Sequence, residues 1–231
     1  MIYHNPALED LLRLCKSHSS INLSVRELID QDMSIIVQRA LIDKKCKALH
    51  LTGNQLTSQS LSILSDALYN NLTLVELDLS DNYISDFGVK TLMDVLRTNK
   101  SILQKLHLGC NQITDQGAEY LSDMLKTNHS LTHLMLNRNS IGNPGVHSLC
   151  NVLALHNISL EVLSLASNQL ISDQCVDSLI AMLKHNERLK GLDMKCCQIS
   201  SNNKQRLREV CREKHSFQLF TTTNENQCFL S

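Results

Sequence analysis

The stretch Leu77-Asp78-Leu79-Ser80-Asp81-Asn82-Tyr83-Ile84 defines a pattern that recurs along the chain. It has leucine at two alternate positions, asparagine three residues later, and an aliphatic residue two residues after the asparagine. At a spacing of 28 or 29 residues, the pattern starts again at Leu49, Leu106, Leu134 and Leu163. A fixed period of this length is the sequence signature of a solenoid built from stacked repeats.

Two weaker copies flank these five repeats. They start at Ile21 and Leu192, and each has lost the asparagine, which is replaced by Arg26 in the first copy and by Cys197 in the last. Atypical end repeats are expected where a stack must be closed against water. We therefore expect about seven repeats over residues 21–199.

Each repeat is expected to combine a short strand with a helix. The two leucines alternate with polar residues, as in a strand that buries one face. Seven, ten and fourteen residues after Asn82 come Val89, Leu92 and Leu96, a spacing that places them on one helix face. The asparagine amide can satisfy backbone groups of the turn between strand and helix. We predict a structural column of these amides, formed by Asn54, Asn82, Asn111, Asn139 and Asn168.

These repeats resemble the ribonuclease-inhibitor-like class of leucine-rich repeats (LRRs), and the resemblance extends from Ile21 to Cys211. It implies an α/β fold, a leucine-rich-repeat solenoid shaped like a horseshoe. Parallel strands would line the concave face and helices the convex face. The class also includes the sensor regions of innate-immune receptors and the activator of the Ran GTPase.

Outside the repeats we expect two caps and a tail. A capping helix within residues 1–20 would cover the first repeat, because Asn5-Pro6 is a helix-start signal followed by apolar residues. Residues 200–220 form the predicted C-terminal cap, whose helix is basic, and residues 221–231 form a flexible polar tail. The two caps and the atypical end repeats favour a complete protein rather than a fragment.

The composition bounds the class of protein. A net charge of −1 gives no argument for nucleic-acid binding, and no apolar run is long enough to span a bilayer. The first six residues lack the basic and apolar regions of a signal peptide. Nine cysteines without a C-x-x-C pair favour reduced thiols. We expect a monomeric cytoplasmic protein with no cofactor and no metal ion.

Side chains between the strand leucines should line the concave face, where such a fold would bind a partner. Neighbouring strands lie about 4.8 Å apart, so equivalent residues form rows. We predict a protein-binding surface made of His50, Glu76, Asp78, Lys105, His107, His133, Met135 and Arg138. Acidic residues cluster in the early repeats and basic residues lie further on, so we expect a partner with basic groups opposite the early repeats.

Two chemical interpretations compete with protein binding at His50, Asp78 and His107. Two imidazoles and a carboxylate are good zinc ligands, but alternate strands would hold the two histidines about 9.6 Å apart at the backbone. A His–Asp dyad would need a nucleophile, and Ser80 or Thr52 would stand on an open face that does not exclude water. The pattern favours a polar binding surface whose histidines make binding sensitive to pH.

The last four residues, Cys228-Phe229-Leu230-Ser231, resemble a C-a-a-X prenylation box, and the final serine indicates farnesyl. A single lipid gives only marginal membrane binding, so the basic C-terminal cap would supply the second signal. A membrane surface is therefore a second predicted partner.

The leading functional hypothesis is a non-catalytic scaffold or adaptor that binds a protein on its concave face, with farnesylation recruiting it to a membrane. The alternative is a regulator of a small GTPase, by likeness to the Ran activator. That activity would need an exposed stimulating arginine, and Arg26 and Arg138 are the candidates. The acidic tail associated with that activator is absent from this sequence.

Overall fold

Eight short parallel strands form one continuous sheet in the computed structural model, which describes residues 3–98, 100–214 and 216–221. The strands follow one another in chain order, so each strand pairs with the next one in the sequence. They are β1 (Ser20–Asn22), β2 (Ala48–His50), β3 (Glu76–Asp78), β4 (Lys105–His107), β5 (His133–Met135), β6 (Val162–Ser164), β7 (Gly191–Asp193) and β8 (Gln218–Phe220).

Helices alternate with the strands, and those of neighbouring repeats pack against each other. They are α1 (Pro6–Leu14), α2 (Met33–Ile36), α3 (Ser58–Leu68), α4 (Ser85–Leu96), α5 (Asp115–Leu125), α6 (Asn143–Leu155), α7 (Val176–His185) and α8 (Ser201–Arg212). The first repeat departs from this plan, because α2 continues as a π-helical stretch over Val37–Asp43. Short 3₁₀ turns, Asp30–Asp32 and Asp173–Cys175, precede α2 and α7.

The hydrophobic core lies between the sheet and the helices. The central residues of the strands are in register from one end of the sheet to the other: Ile21, Leu49, Leu77, Leu106, Leu134, Leu163, Leu192 and Leu219. All but Leu219 are buried, and the helical residues Val89, Leu92 and Leu96 face them from α4. The predicted fold class, an α/β leucine-rich-repeat solenoid, is confirmed.

The asparagine of each full repeat connects that repeat to its neighbours. The Asn82 amide nitrogen donates to the carbonyl oxygens of Leu51 and Leu79, both at 3.0 Å, and its Oδ1 accepts from the backbone N–H of Leu56 at 3.1 Å. Asn54, Asn111, Asn139 and Asn168 make equivalent bonds. These amides supply partners to backbone groups that would otherwise be buried and unpaired.

A second asparagine column, at positions that recur with the same 29-residue spacing, runs along the loops that follow the helices. Its members are Asn128, Asn157 and Asn186, all buried. Asn157 donates to the carbonyl oxygen of Leu125 at 2.9 Å, and its Oδ1 accepts from the backbone N–H of Leu160 at 2.9 Å. Each member therefore fixes the loop that leads into the next strand and ties this loop to the helix of the preceding repeat.

Both ends of the solenoid are covered. Helix α1 buries Leu8 and Leu12, and Asn5 caps it by accepting from the backbone N–H of Leu8 at 3.2 Å. The buried Asp32 accepts from Asn5 at 2.8 Å, which joins the helix to the first repeat. At the other end α8 buries Leu207, and the chain then adds β8, a strand that the sequence pattern does not indicate.

Candidate functional site

Two rows of side chains form the floor of the concave face. One row runs through His50, Asp78, His107, Met135, Ser164 and Asp193, which are aligned by strand register. The parallel row, two residues earlier, runs through Glu76, Lys105, His133 and Val162. The structure thus brings seven of the eight residues of the predicted surface onto this floor, and Arg138 lies in the turn after β5.

A cluster of titratable side chains, Glu76, Asp78, Lys105 and His107, occupies β3 and β4. The Glu76 carboxylate lies 3.4 Å from the Lys105 ammonium, an ion-pair distance. It lies 3.7 Å from Nε2 of His107, which is too long for a hydrogen bond. One oxygen of Asp78 accepts from the backbone N–H of Ser80 at 2.9 Å. Contacts to Lys105 and to the backbone of Ser80 therefore hold the two carboxylates in place, and both carboxylates line the concave face.

His107 is less exposed than Glu76 or Lys105. Its side chain is 12% exposed, and among the described residues no group forms a hydrogen bond to its buried Nε2. Burial lowers the pKa of His107, while the carboxylates of Asp78 and Glu76 act in the opposite direction. The imidazole is consequently neutral near pH 7, so it does not offset the negative charge beside it.

The two other histidines have hydroxyl neighbours. Nε2 of His50 lies 3.1 Å from Oγ of Ser20, and Nδ1 of His133 lies 2.9 Å from Oγ1 of Thr132. Burial is the main cause that lowers the pKa of His133, and Lys105 lowers it further. Histidines with lowered pKa values carry little charge at neutral pH, so the carboxylates dominate this part of the floor.

The geometry around His50, Asp78 and His107 can be compared with the two chemical alternatives, a zinc site and a His–Asp dyad. Within the described part of the chain, no group of three or more histidine, cysteine, aspartate or glutamate side chains is arranged to hold a metal ion. The register places His50 and His107 on alternate strands with Asp78 between them. Ser80 and Thr52 line the same open depression as these residues.

A depression of about 640 Å³ lies in the middle of the concave face. Its lining includes the small side chains of Ser164, at the end of β6, and Ala166, next to the thioether of Met135. His107 and Asp78 stand at one end, and Lys195 stands at the other. The depression is open to solvent and combines an apolar centre with charged ends.

Arg138 belongs to a column of left-handed residues in the turns after the strands. Its φ is 56°, and equivalent values between 54° and 67° occur at Val25, Gly53, Asp81, Cys110, Ser167 and Cys196. The Arg138 side chain is exposed. Across residues 3–98, 100–214 and 216–221 its guanidinium forms no ion pair and no hydrogen bond, so it is available to a ligand on this rim.

The basic C-terminal helix is largely engaged within the protein. Arg206 pairs with Asp177 at 2.7 Å, and Arg208 donates to Thr221 at 2.7 Å. Lys214 donates to the backbone carbonyl oxygen of Leu183 at 2.9 Å. The Asp177 carboxylate offsets the charge of Arg206, whereas Thr221 and the Leu183 carbonyl are neutral hydrogen-bond acceptors.

The described helices and cysteines bear on membrane insertion and on disulfide formation. None of the described helices is long and apolar enough to cross a bilayer, and Cys228 lies outside the described residues. The eight described cysteines are free thiols. Burial raises the pKa of Cys46 and of Cys197 to about 12, so these thiols pack as apolar residues.

The repeat architecture and its concave surface define the class of protein. Four segments match the family described as "Leucine Rich repeat", at residues 70–93, 100–122, 127–150 and 156–179. Together with the eight-stranded parallel sheet, they show that this chain is a leucine-rich repeat protein. The ribonuclease-inhibitor-like subtype stays a prediction.

Curated relatives carry a similar repeat region within much longer chains. The protein is 33% identical over 213 residues to NACHT, LRR and PYD domains-containing protein 5 of Homo sapiens, covering 90% of this chain and 18% of that one. It is 36% identical over 185 residues to protein 14 of the same series, also from Homo sapiens, covering 78% and 17%. The chain therefore spans less than a fifth of the length of these relatives.

Among solved structures, the actin-binding site 2 of leiomodin-1 is similar with a TM-score of 0.48 and 14% sequence identity. The match covers 79% of this chain and 87% of that chain.

Proposed function

We propose that this protein is a non-catalytic adaptor that holds a protein partner on its concave face. The observation that carries the proposal is the open depression of about 640 Å³, which joins an apolar centre to charged side chains at both ends. Its rim includes Arg138, whose guanidinium makes no ion pair with any other described residue. Exposed arginine and an apolar centre are features common at protein interfaces.

The dimensions of the face support a protein as the ligand. Six strands, β2 to β7, contribute to the depression. At about 4.8 Å between strands they span about 24 Å. A standard protein interface buries about 800 Å² on each partner, which a surface of this width can supply. A small molecule would leave most of so open a depression in water.

The proposal is tested by capturing partners from cell extract with two matched variants. The first replaces His50, Asp78 and His107 with alanine. The control replaces Asp66, Asp94 and Glu119, exposed residues on the helices, with alanine. We expect bound proteins to be lost from the first variant and retained by the control. A capture pattern that is identical for both variants would refute concave-face binding.

Recruitment of this adaptor to a membrane through farnesylated Cys228 stays part of the proposal. The mass of the C-terminal peptide, from protein made in eukaryotic cells, decides it. A farnesyl adduct on Cys228 would support recruitment, and an unmodified peptide that still ends in Phe229-Leu230-Ser231 would exclude it. The proposed adaptor is a monomer in the cytoplasm. Sedimentation tests its oligomeric state, and cell fractionation tests its location.

Regulation of a small GTPase stays an untested alternative, and no contact among the described residues favours it. Arg26 and Arg138 are both exposed. A single-turnover GTP assay with the unmodified protein would detect stimulation, and its loss on substitution of either arginine would identify the residue responsible.

A further inference from the structure

We propose that the concave face binds an extended polypeptide segment in which a basic and an acidic side chain stand about four to six residues apart, with an apolar side chain between them. The inference deepens the proposed function and rests on it. It assigns chemistry to three parts of the depression: an acidic end on β3 and β4, a small apolar centre on β5 and β6, and basic side chains in the turns after β5 and β7.

The acidic end would receive the basic side chain. Glu76 and Asp78 contribute two carboxylates from β3, and Lys105 is the one ammonium group that the described structure places in contact with them. Only one oxygen of Asp78 accepts a hydrogen bond from another described residue. The neighbouring His107 is neutral near pH 7, so this end keeps a net negative charge.

The basic end would receive the acidic side chain. Arg138 projects from the turn after β5 without an ion pair to any described residue, and a guanidinium can bind a carboxylate through two parallel hydrogen bonds. Lys195 adds a positive charge from the turn after β7, where its ammonium lies 4.7 Å from the centre of the Phe220 ring. Asp193 is the opposing charge, and its Oδ1 accepts from the backbone N–H of Lys195.

The centre of the depression would receive the apolar side chain. Ser164 and Ala166 leave space above β6, and the thioether of Met135 forms one wall. Methionine adapts its shape to different apolar neighbours, which suits a surface that receives a side chain from outside. An apolar group here would displace water from a region flanked by charge on both sides.

Strand geometry sets the spacing of the segment. Asp78 and Met135 are register partners two strands apart, and Arg138 follows Met135 by three residues, so the backbones of Asp78 and Arg138 are separated by about 14 Å. Lys195 is about 20 Å from Asp78 by the same reasoning. An extended chain advances about 3.3 Å per residue, so about four to six residues bridge the two ends.

Selection from a displayed library of random dodecapeptides on the full-length protein tests the inference. We expect the enriched peptides to share a basic residue and an acidic residue at this spacing. Charge reversal by Arg138→Glu should then weaken the best synthetic peptide by about tenfold or more, because like charges would face each other. The matched control is Asp66→Lys, a charge reversal on the exposed face of α3, which should leave the affinity unchanged.

A second variant, Glu76→Lys, probes the other end without removing the carboxylate of Asp78 that bonds to Ser80. A peptide whose basic residue is changed to glutamate should recover affinity for this variant. Enriched peptides that need the concave residues but lack the charge order would overturn the inference and leave the proposed function intact. Peptides that bind equally well to all variants would overturn both. A library that yields no binder would overturn the inference alone, because a linear peptide does not reproduce a folded partner.

Discussion

The ammonium group of Lys214 donates a hydrogen bond to the carbonyl oxygen of Leu183 at 2.9 Å. In the three preceding repeats the equivalent carbonyl oxygens, at the ends of α4, α5 and α6, accept from the side chains of Asn128, Asn157 and Asn186. Lys214 also donates to the backbone carbonyl oxygen of Asn186. A lysine thus ends the second asparagine column, at the point where the repeats stop.

Replacement of Lys214 by methionine should destabilise the C-terminal repeat. The substitution keeps the apolar stem but leaves two partly buried carbonyl oxygens without their donor, at a cost of about 1–3 kcal/mol. Urea unfolding and hydrogen exchange of α7 and α8 measure the effect. Arg212→Met, on the exposed face of α8, is the matched control. Equal stability of the two variants would show that the lysine does not cap the column.

Replacement of Asn82 by alanine should cost more, because its amide serves four backbone groups in two repeats. Loss of these bonds in a buried turn should lower the free energy of unfolding by about 2–4 kcal/mol. The control is Asn137→Ala, since the Asn137 side chain forms no hydrogen bond with the described residues and lies over Gly109. Urea titration of both variants tests the difference, and comparable losses would contradict it.

The fold could be predicted from the sequence because the residues typical of strand, turn and helix recur at equivalent positions in each repeat. Leu77, Asn82 and Leu92 each stand for a column, so one unit determines the whole stack. The rows of the concave floor followed for the same reason, since register in a parallel sheet is set by the repeat length. The positions of His50, Asp78 and His107 needed only the spacing of the strands.

Other features depend on contacts that no single repeat contains. Asn157 is buried because the loops of adjacent repeats close over it, and its sequence neighbours do not reveal this. Strand β8 pairs with β7 through backbone groups, so Gln218–Phe220 joins the sheet without the repeat pattern. His107 likewise stands in register between Asp78 and Met135 of the two neighbouring strands. The left-handed column had no sequence signal, because Gly53 is its one glycine.

Val25 offers a stabilising substitution. It has a φ of 55°, a left-handed conformation that is unfavourable for a β-branched side chain. The side chain is 77% exposed, so removing it sacrifices little buried contact. Val25→Gly should raise the free energy of unfolding by about 1 kcal/mol, after allowance for the greater freedom of glycine in the unfolded chain. Thermal unfolding measures this.

The control for that substitution is Val25→Ala, which retains a Cβ and should recover only part of the strain. Gly53 occupies the equivalent position in the next repeat and shows that glycine fits this turn. A melting temperature for Val25→Gly at or below that of the unmodified protein would mean that the turn is not strained at this position.

The buried His107 should make the stability of the protein depend on pH. Burial lowers its pKa in the folded state, against the opposing influence of Asp78 and Glu76, with Lys105 and His50 lowering it further. In the unfolded chain the pKa is about 6.5, so the unfolded state takes up the proton first as the pH falls. The stabilising contribution of the neutral imidazole is therefore complete above about pH 6.5 and declines as the pH falls through the folded pKa.

His107→Gln removes this dependence, so the loss of stability between about pH 7 and about pH 5 should be smaller in the variant than in the unmodified protein. Urea unfolding at both pH values compares them, and nuclear magnetic resonance locates the titration midpoint of the imidazole directly. A midpoint at or above the unfolded value would show that the carboxylates outweigh burial, and the sign of the pH dependence would then be reversed.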